Sequence, residues 1–204
     1  MTVEYISATK DILLSIASVI TATVAVIGLN SWRKELRGKA EYEVARRLIR
    51  ATYKLRDELN YSRSPFIGSY EFPDGYDPID KSASDEAKAM AFVYANRWKS
   101  IMVPLQEFEA QTLEAEVLWV KEIKRIAFQL KHCSSTLKNS MNAMVSNIAN
   151  HNEHFNSNKE FAEKIQSNVW SGWSDSEEKD ELSSQIITAV ENIEKELRPH
   201  LKRN

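Results

Sequence analysis

Cysteine occurs once in the 204 residues, at Cys133. A lone cysteine excludes an internal disulfide, so the fold does not depend on an oxidising compartment. Glycine and proline are scarce, at five each. Three of the prolines and two of the glycines fall between 60 and 84. A chain with so few breakers elsewhere favours long helices over a many-turned β architecture. Several chemical signatures are missing as well. There is no glycine-rich phosphate loop, no His-Glu-x-x-His and no serine set in a nucleophile elbow. The Glu-x-x-His pairs that a di-iron helical bundle requires are also absent. The net charge of −2 gives no general attraction to nucleic acid.

The few candidate chemical groups read as structural. Cys133 reads as a small residue packed near a helix end. His132 is its neighbour in sequence, but adjacent helix positions point about 100° apart, which places it poorly as a base. His151 and His154 stand at i, i+3 in the stretch HNEHF, a polar segment that reads as a turn and is assigned no metal. No catalytic, cofactor-binding or metal-ligating residue is assigned.

What the chain does have is one long apolar run. From Ile12 to Leu29 the residues ILLSIASVITATVAVIGL carry no charge. As a helix they span about 27 Å, close to the roughly 30 Å of a bilayer's hydrocarbon core. Trp32 suits the interface beyond, where an indole ring keeps its N–H wet. A cleaved signal peptide needs a basic leader, whereas MTVEYISATKD is slightly acidic. An interfacial helix needs a polar face, and this segment is apolar all round. A buried core helix is the remaining competitor. We therefore expect a transmembrane helix over 12–32. Arg33, Lys34, Arg37 and Lys39 follow directly and predict a cytoplasmic flank, leaving residues 1–11 as a short tail outside. Within the span, Ser18, Ala22 and Ala25 form a strip of small side chains that suits association with another membrane helix.

Residues 33–204 read as a cytoplasmic helical domain. Ala45, Leu48, Ile49, Thr52, Leu55 and Leu59 make an apolar stripe, with Arg46, Arg47, Arg50, Lys54 and Arg56 on other faces. The basic residues nearest the span, 33–39, are expected to meet anionic lipid headgroups. The farther ones read as a solvated, salt-bridged face, and the missing aromatic interleaving argues against nucleic acid. The irregular segment 60–84 contains the turn Pro73-Asp74-Gly75 and the aromatics Tyr61, Phe66, Tyr70, Phe72 and Tyr76. Long aromatic loops of this kind either pack down as a lid or bind a partner or ligand.

Ser84 is expected to cap the next helix, whose residues Ala87, Ala91, Tyr94, Trp98, Ile101, Leu105, Phe108, Thr112, Ala115 and Trp119 keep a four-three beat. That beat, a coiled-coil spacing, runs through Pro104 and predicts a kinked but continuous helix. The acidic group Glu107, Glu109, Glu114 and Glu116 can complement the basic first cytoplasmic helix if the two run antiparallel. Leu137, Met141, Met144, Val145 and Ile148 extend another stripe. Residues 150–158 read as a turn. Phe161, Ile165 and Val169 mark a short helix broken near Gly172. A final helix runs from about Ser176, with Leu182, Ile186, Val190, Ile193 and Leu197 facing inward, and Pro199 is expected to end it.

One stretch carries a resemblance. Ser31, Trp32, Arg33, Leu36, Gly38, Lys39, Glu41, Tyr42, Glu43, Ala45 and Arg46, followed by Arg63, Ser64, Pro65 and Phe66, match a recurring pattern. It resembles a group of uncharacterised bacterial single-pass membrane proteins with a "TWR-x-x-L-x-G-K-x-E-Y-E-x-AR" segment and an "RNPF"-like turn. Here Ser31 replaces threonine and Ser64 replaces asparagine, while the LRPHLKR ending is similar too. The resemblance covers about a quarter of the chain. It implies a membrane anchor and a bacterial inner membrane, and no activity.

The expected architecture is thus all-α: one N-terminal transmembrane helix and an antiparallel cytoplasmic bundle of about four or five helices. The expected role is a non-catalytic, membrane-anchored interaction or scaffold protein, self-associating or bound to a protein partner. The alternative is a signalling or defence-system component whose 60–84 loop binds a ligand or partner enzyme.

Overall fold

The computed structural model describes residues 2–119, 122–172 and 180–201, with residues 2–12 described by their backbone. The described chain is helical and contains no strand. Its elements are α1 (Thr2–Ser62), α2 (Ala83–Trp119), α3 (Glu122–Ala149), α4 (Glu153–Ser157), α5 (Lys159–Val169) and α6 (Glu181–Leu201), with a single 3-10 turn at Ser69–Glu71. The chain divides into two compact units, residues 1–43 and 44–204.

In the first unit the apolar run is one helix, and it is long and apolar enough to cross a membrane. None of its most apolar window is buried within the described chain. The hydroxyls that dilute its hydrophobicity bond within the helix. Ser18 Oγ donates to Leu14 O, Thr21 Oγ1 to Ala17 O and Thr23 Oγ1 to Val19 O, each at 2.8 Å. These polar groups need no water. No break separates the run from the following stripe. With Gly38 in ordinary helical backbone and no proline before residue 65, nothing in the sequence stops α1.

In the second unit, the α1 stripe buries Ala45, Leu48, Thr52, Leu55 and Leu59, with Val44 and Ala51 added. α2 packs on α3, and α3 also meets α5 and α6. The α6 stripe is buried as expected, from Leu182 through Ile186, Val190 and Ile193 to Leu197. Phe155, Ile165 and Val169 close the core from α4 and α5.

Side-chain pairs record how α1, α2 and α3 are matched. Arg47 pairs with Glu114 and Lys54 with Glu107, so partners on α2 fall in number as those on α1 rise. Lys131 pairs with Glu109 and Lys124 with Glu116 in the same descending order. The acidic group is therefore shared: Glu107 and Glu114 turn to α1, while Glu109 and Glu116 turn to α3. Exposed pairs of this kind contribute little stability, about 0–1 kcal/mol each, but they fix register.

Several boundaries differ from the sequence expectation, although α2 is continuous through Pro104 as expected. Its cap is Ser82, one residue before Ala83, and Ser84 lies inside the first turn. Ser82 Oγ accepts from the Asp85 N–H at 3.2 Å and donates to the Asp85 carboxylate at 2.6 Å. The Ser82 carbonyl takes the first helical bond, from Glu86 N–H. Along α2, Ala91 of the expected beat is exposed, while Met90, Val93 and Arg97 are buried beside it. The 150–158 turn is shorter than expected. His151 and Asn152 take left-handed backbone at φ 55° and 63°, and α4 follows at once. Asn147 stabilises this corner, donating to Asn152 Oδ1 and accepting from Phe155 N–H. On α5, Phe161 is exposed and its neighbour Ala162 takes the buried place. α6 passes through Pro199 to Leu201, and the expected start near Ser176 lies outside the described residues.

Candidate functional site

The segment between α1 and α2, residues 63–82, is fastened by two buried arginines: Arg63, which the sequence reading names only within the "RNPF"-like turn, and Arg97, which it does not single out. Arg63 begins it and is wholly buried. Its Nε donates to Asn168 O and its Nη2 to Ser167 O, both at 2.8 Å. Nη1 donates to Ser183 Oγ at 2.7 Å and Nη2 to Asp180 Oδ1 at 2.6 Å. Asp180 is held in turn by the Ser183 N–H and hydroxyl. The Arg63 carbonyl accepts from Ser171 N–H at 2.8 Å. One residue thereby joins the end of α1 to the end of α5 and the start of α6.

Arg97, on α2, holds the next stretch. It forms a fork on Glu71, with Nε to Oε2 at 2.7 Å and Nη2 to Oε1 at 3.0 Å. Its remaining donors reach Ser62 O at 3.3 Å, Ser64 O at 2.7 Å and Phe66 O at 2.8 Å. All five guanidinium donors are used. Glu71 also accepts from Gly68 N–H at 3.0 Å. This planar, five-donor geometry is what a lysine cannot reproduce. The Arg97 guanidinium beside Glu71 holds its carboxyl below the usual range, aided by the Gly68 N–H and opposed by burial. At Asp180, burial pushes the carboxyl up, but bonds from Ser183 and Arg63 outweigh it and hold the carboxyl low.

With its backbone pinned, the segment divides its apolar side chains. Ile67 and Phe72 are partly buried against the core. Phe72 stacks on Tyr76, with ring centroids 4.8 Å apart. Lys81 lies over the Tyr76 ring and pairs with Glu86. Tyr61, on the last turn of α1, is exposed, as are Phe66 (76%) and Tyr70 (81%). The Tyr70 ring folds back over Gly68, where a β-carbon would collide with it. The chain reverses at 73–76, where Tyr76 N–H bonds to Pro73 O and Gly75 takes φ 78°. The five aromatic residues expected as one set thus fall into a half-buried stacked pair, Phe72 and Tyr76, and an exposed trio, Tyr61, Phe66 and Tyr70.

Elsewhere the expected groups are placed as follows. Trp32, Arg33, Lys34, Arg37 and Lys39 are exposed on α1, with Arg37 bonded to Glu41 and Lys39 to Glu35. Ser18, Ala22 and Ala25 are exposed on the same helix. Cys133 is buried, and burial pushes its thiol up to about 11. Among the described residues no group of three or more His, Cys, Asp or Glu side chains is placed to hold a metal ion.

Single-residue chemistry could have flagged the arginines only weakly. Arg97 sits on the core face of α2 among Tyr94, Trp98 and Ile101, which is a costly position for a charge without partners. Arg63 follows the last α1 turn and precedes a proline-containing stretch, where surface exposure is the ordinary expectation. No protein-family model, curated protein or solved structure matches the chain.

Proposed function

We propose that the protein is a membrane-tethered, non-catalytic interaction module whose 60–84 segment presents Tyr61, Phe66 and Tyr70 to a protein partner. The observation that carries this reading is the contrast within that segment. Its backbone is fixed by Arg63 and Arg97, yet Phe66 and Tyr70 stay in water. Large aromatic side chains on a preorganised backbone lose little conformational entropy on binding and make effective anchors.

The tether is the apolar part of α1, spanning 12–32 with Trp32 at the interface. Its unburied surface and internally bonded hydroxyls support this reading. Arg33, Lys34, Arg37 and Lys39 support a cytoplasmic flank near anionic headgroups, with residues 1–11 outside. In a bacterium the membrane is the inner one. Residues 44–201 then form an antiparallel cytoplasmic bundle, a reading supported by the descending ion-pair order of α1, α2 and α3.

Crosslinking in native membranes followed by mass spectrometry tests the partner surface. Phe66→Ala and Tyr70→Ala are expected to lose a crosslinked partner while the helical circular dichroism is kept. Retention of every crosslink by both variants refutes the assignment. Sedimentation with membranes, resistant to high salt and released by detergent, is expected for the full chain. Recovery of intact chain in the supernatant without detergent refutes the tether.

A further inference from the structure

Between α2 and α3 runs a groove of about 380 Å³, formed wholly within residues 44–204. It exists because the side chains that would close it are short. On α2, Ala91 and Ala95 stand one turn apart and line it, and the exposed Ala91 of the α2 beat belongs here. On the α3 side, Asn142 and Ser146 stand one turn apart in the same way. The buried Tyr94 and Met141 line its depth, with the half-buried Trp98 and Val145 beside them. An apolar groove of this volume with a few polar groups takes a small organic molecule.

The polar groups say which kind. Lys138, Asn142 and Ser146 fall at i, i+4 and i+8, a single stripe along α3. The Lys138 ammonium is held over the Trp98 ring, 4.9 Å from its centroid, and among the described residues it bonds no carboxylate. Lys124 and Lys131, earlier on the same helix, are each paired with an α2 glutamate. Asn142 and Ser146 make no side-chain hydrogen bond among the described residues, so their donors are open as well. None of the 29 acidic residues falls in 87–106 of α2 or 123–152 of the α3 region. The Glu71 carboxylate that reaches α2 from the preceding segment is engaged by Arg97. An anion entering the groove therefore meets an unengaged cation and neutral donors, with no carboxylate from either flanking stretch.

We infer that the α2–α3 groove binds a small aromatic carboxylate, its ring against Tyr94 and Met141 and its carboxylate on Lys138. One cation matches one negative charge, which favours a carboxylate over a phosphate. A flat ring suits a groove lined by two alanines and two aromatic side chains, where ring contact adds to the burial of area. Asn142, one turn from Lys138, can donate to the second carboxylate oxygen. This site needs neither the tether nor the aromatic segment between α1 and α2.

The test is binding of para-trifluoromethylbenzoate to the full chain in phosphatidylcholine nanodiscs, read by fluorine relaxation at neutral pH with empty nanodiscs subtracted. Saturable binding is expected, and para-trifluoromethylbenzylammonium should bind at least about ten-fold more weakly. Lys138→Gln should weaken the benzoate about ten-fold, while circular dichroism stays that of the parent. Ala95→Leu fills the groove from an exposed helix position and should abolish binding; Ala91→Leu replaces it if the helices are disturbed. Lys99→Gln, which removes an exposed α2 cation outside the groove, should change nothing. No saturable binding, or equal binding of the two probes, overturns the proposal. A loss in Lys138→Gln without one in the leucine variant signals a surface ion pair and overturns it. The converse signals an apolar groove without preference for anions and overturns it too. An equal loss in Lys99→Gln signals general charge attraction, with the same consequence.

Discussion

Arg63 and Asp180 meet at 2.6 Å across 117 residues of sequence, one wholly buried and the other at the base of α6. The pair is embedded among two α5 carbonyls and the Ser183 hydroxyl, so neither charge faces the interior alone. Removing one member strands the other. Arg63→Ala is expected to destabilise the fold by about 3–5 kcal/mol, the range for breaking a buried ion pair. Arg63→Lys is expected to recover only part of this, because an ammonium cannot reach four acceptors set around a planar fork. Denaturant unfolding in detergent, followed by circular dichroism, measures both. A loss below about 1 kcal/mol for Arg63→Ala contradicts the role assigned to this residue.

The two clamps also predict how stability depends on acid. Glu71 and Asp180 both have folded pKa values below their ordinary ones. Such groups stabilise the fold above their unfolded pKa values, about 4.3 and 3.9, and that contribution is lost as pH falls through the folded values. Unfolding free energy should therefore be level from neutral pH to about 5 and decline below about 4.5. Exposed carboxylates such as Asp85 and Glu122 are lowered by their own neighbours and add to the slope at low salt. Raising ionic strength screens those but leaves the partly buried pairs. The slope that survives high salt should shrink in Glu71→Gln and Asp180→Asn. A salt-resistant slope unchanged in both variants would contradict this.

Arg97 reaches three carbonyls and a carboxylate of one short stretch, so its loss should loosen that stretch more than the whole. Arg97→Ala is expected to speed amide exchange across residues 64–72 well beyond any change in α3. Phe66→Ala and Tyr70→Ala, which remove exposed side chains, should leave exchange there close to the parent. Hydrogen exchange read by mass spectrometry distinguishes the outcomes. If the aromatic substitutions loosen the segment as much as Arg97→Ala does, those rings are structural.

What the residues disclosed in advance, and what they withheld, follows from the range of the interactions. The α6 stripe from Leu182 to Leu197 was legible because helical periodicity is a local property and no partner is needed to see it. The uncharged run before Trp32 was legible for the same reason. On α2 the beat was right at Tyr94, Ile101, Phe108 and Ala115 but admitted the exposed Ala91 and missed Arg97. A period of 3.5 marks the centre of a face and says nothing about its width. The division of Glu107 and Glu114 from Glu109 and Glu116 was beyond local reading, since it depends on which helices flank α2. The pairing of Arg63 with Asp180 was hidden, although Arg63 itself stands in the "RNPF"-like turn: their attraction joins distant segments, and no local spacing encodes it. Pro199 does not end α6, because proline removes a donor and clashes with the preceding turn without always ending the helix.

The start of α2 gives the sharpest local test. The sequence offered two serines two residues apart, Ser82 and Ser84, and only one can take the cap. Ser82 takes it because its hydroxyl meets the Asp85 N–H three residues on, and Asp85 returns a carboxylate to that hydroxyl. That reciprocal contact also places a negative charge on the positive end of the helix, and it holds the Asp85 carboxyl below its ordinary range. Ser84 lies inside the first turn and is exposed. Ser82→Ala should therefore cost about 1 kcal/mol, whereas Ser84→Ala should be neutral or slightly stabilising, since alanine is the better helix former. Ser82→Asp should keep the acceptor but set two carboxylates together, leaving stability between parent and alanine variant at neutral pH. The three free energies from one unfolding series decide it, and a larger loss for Ser84→Ala than for Ser82→Ala would move the helix start by two residues.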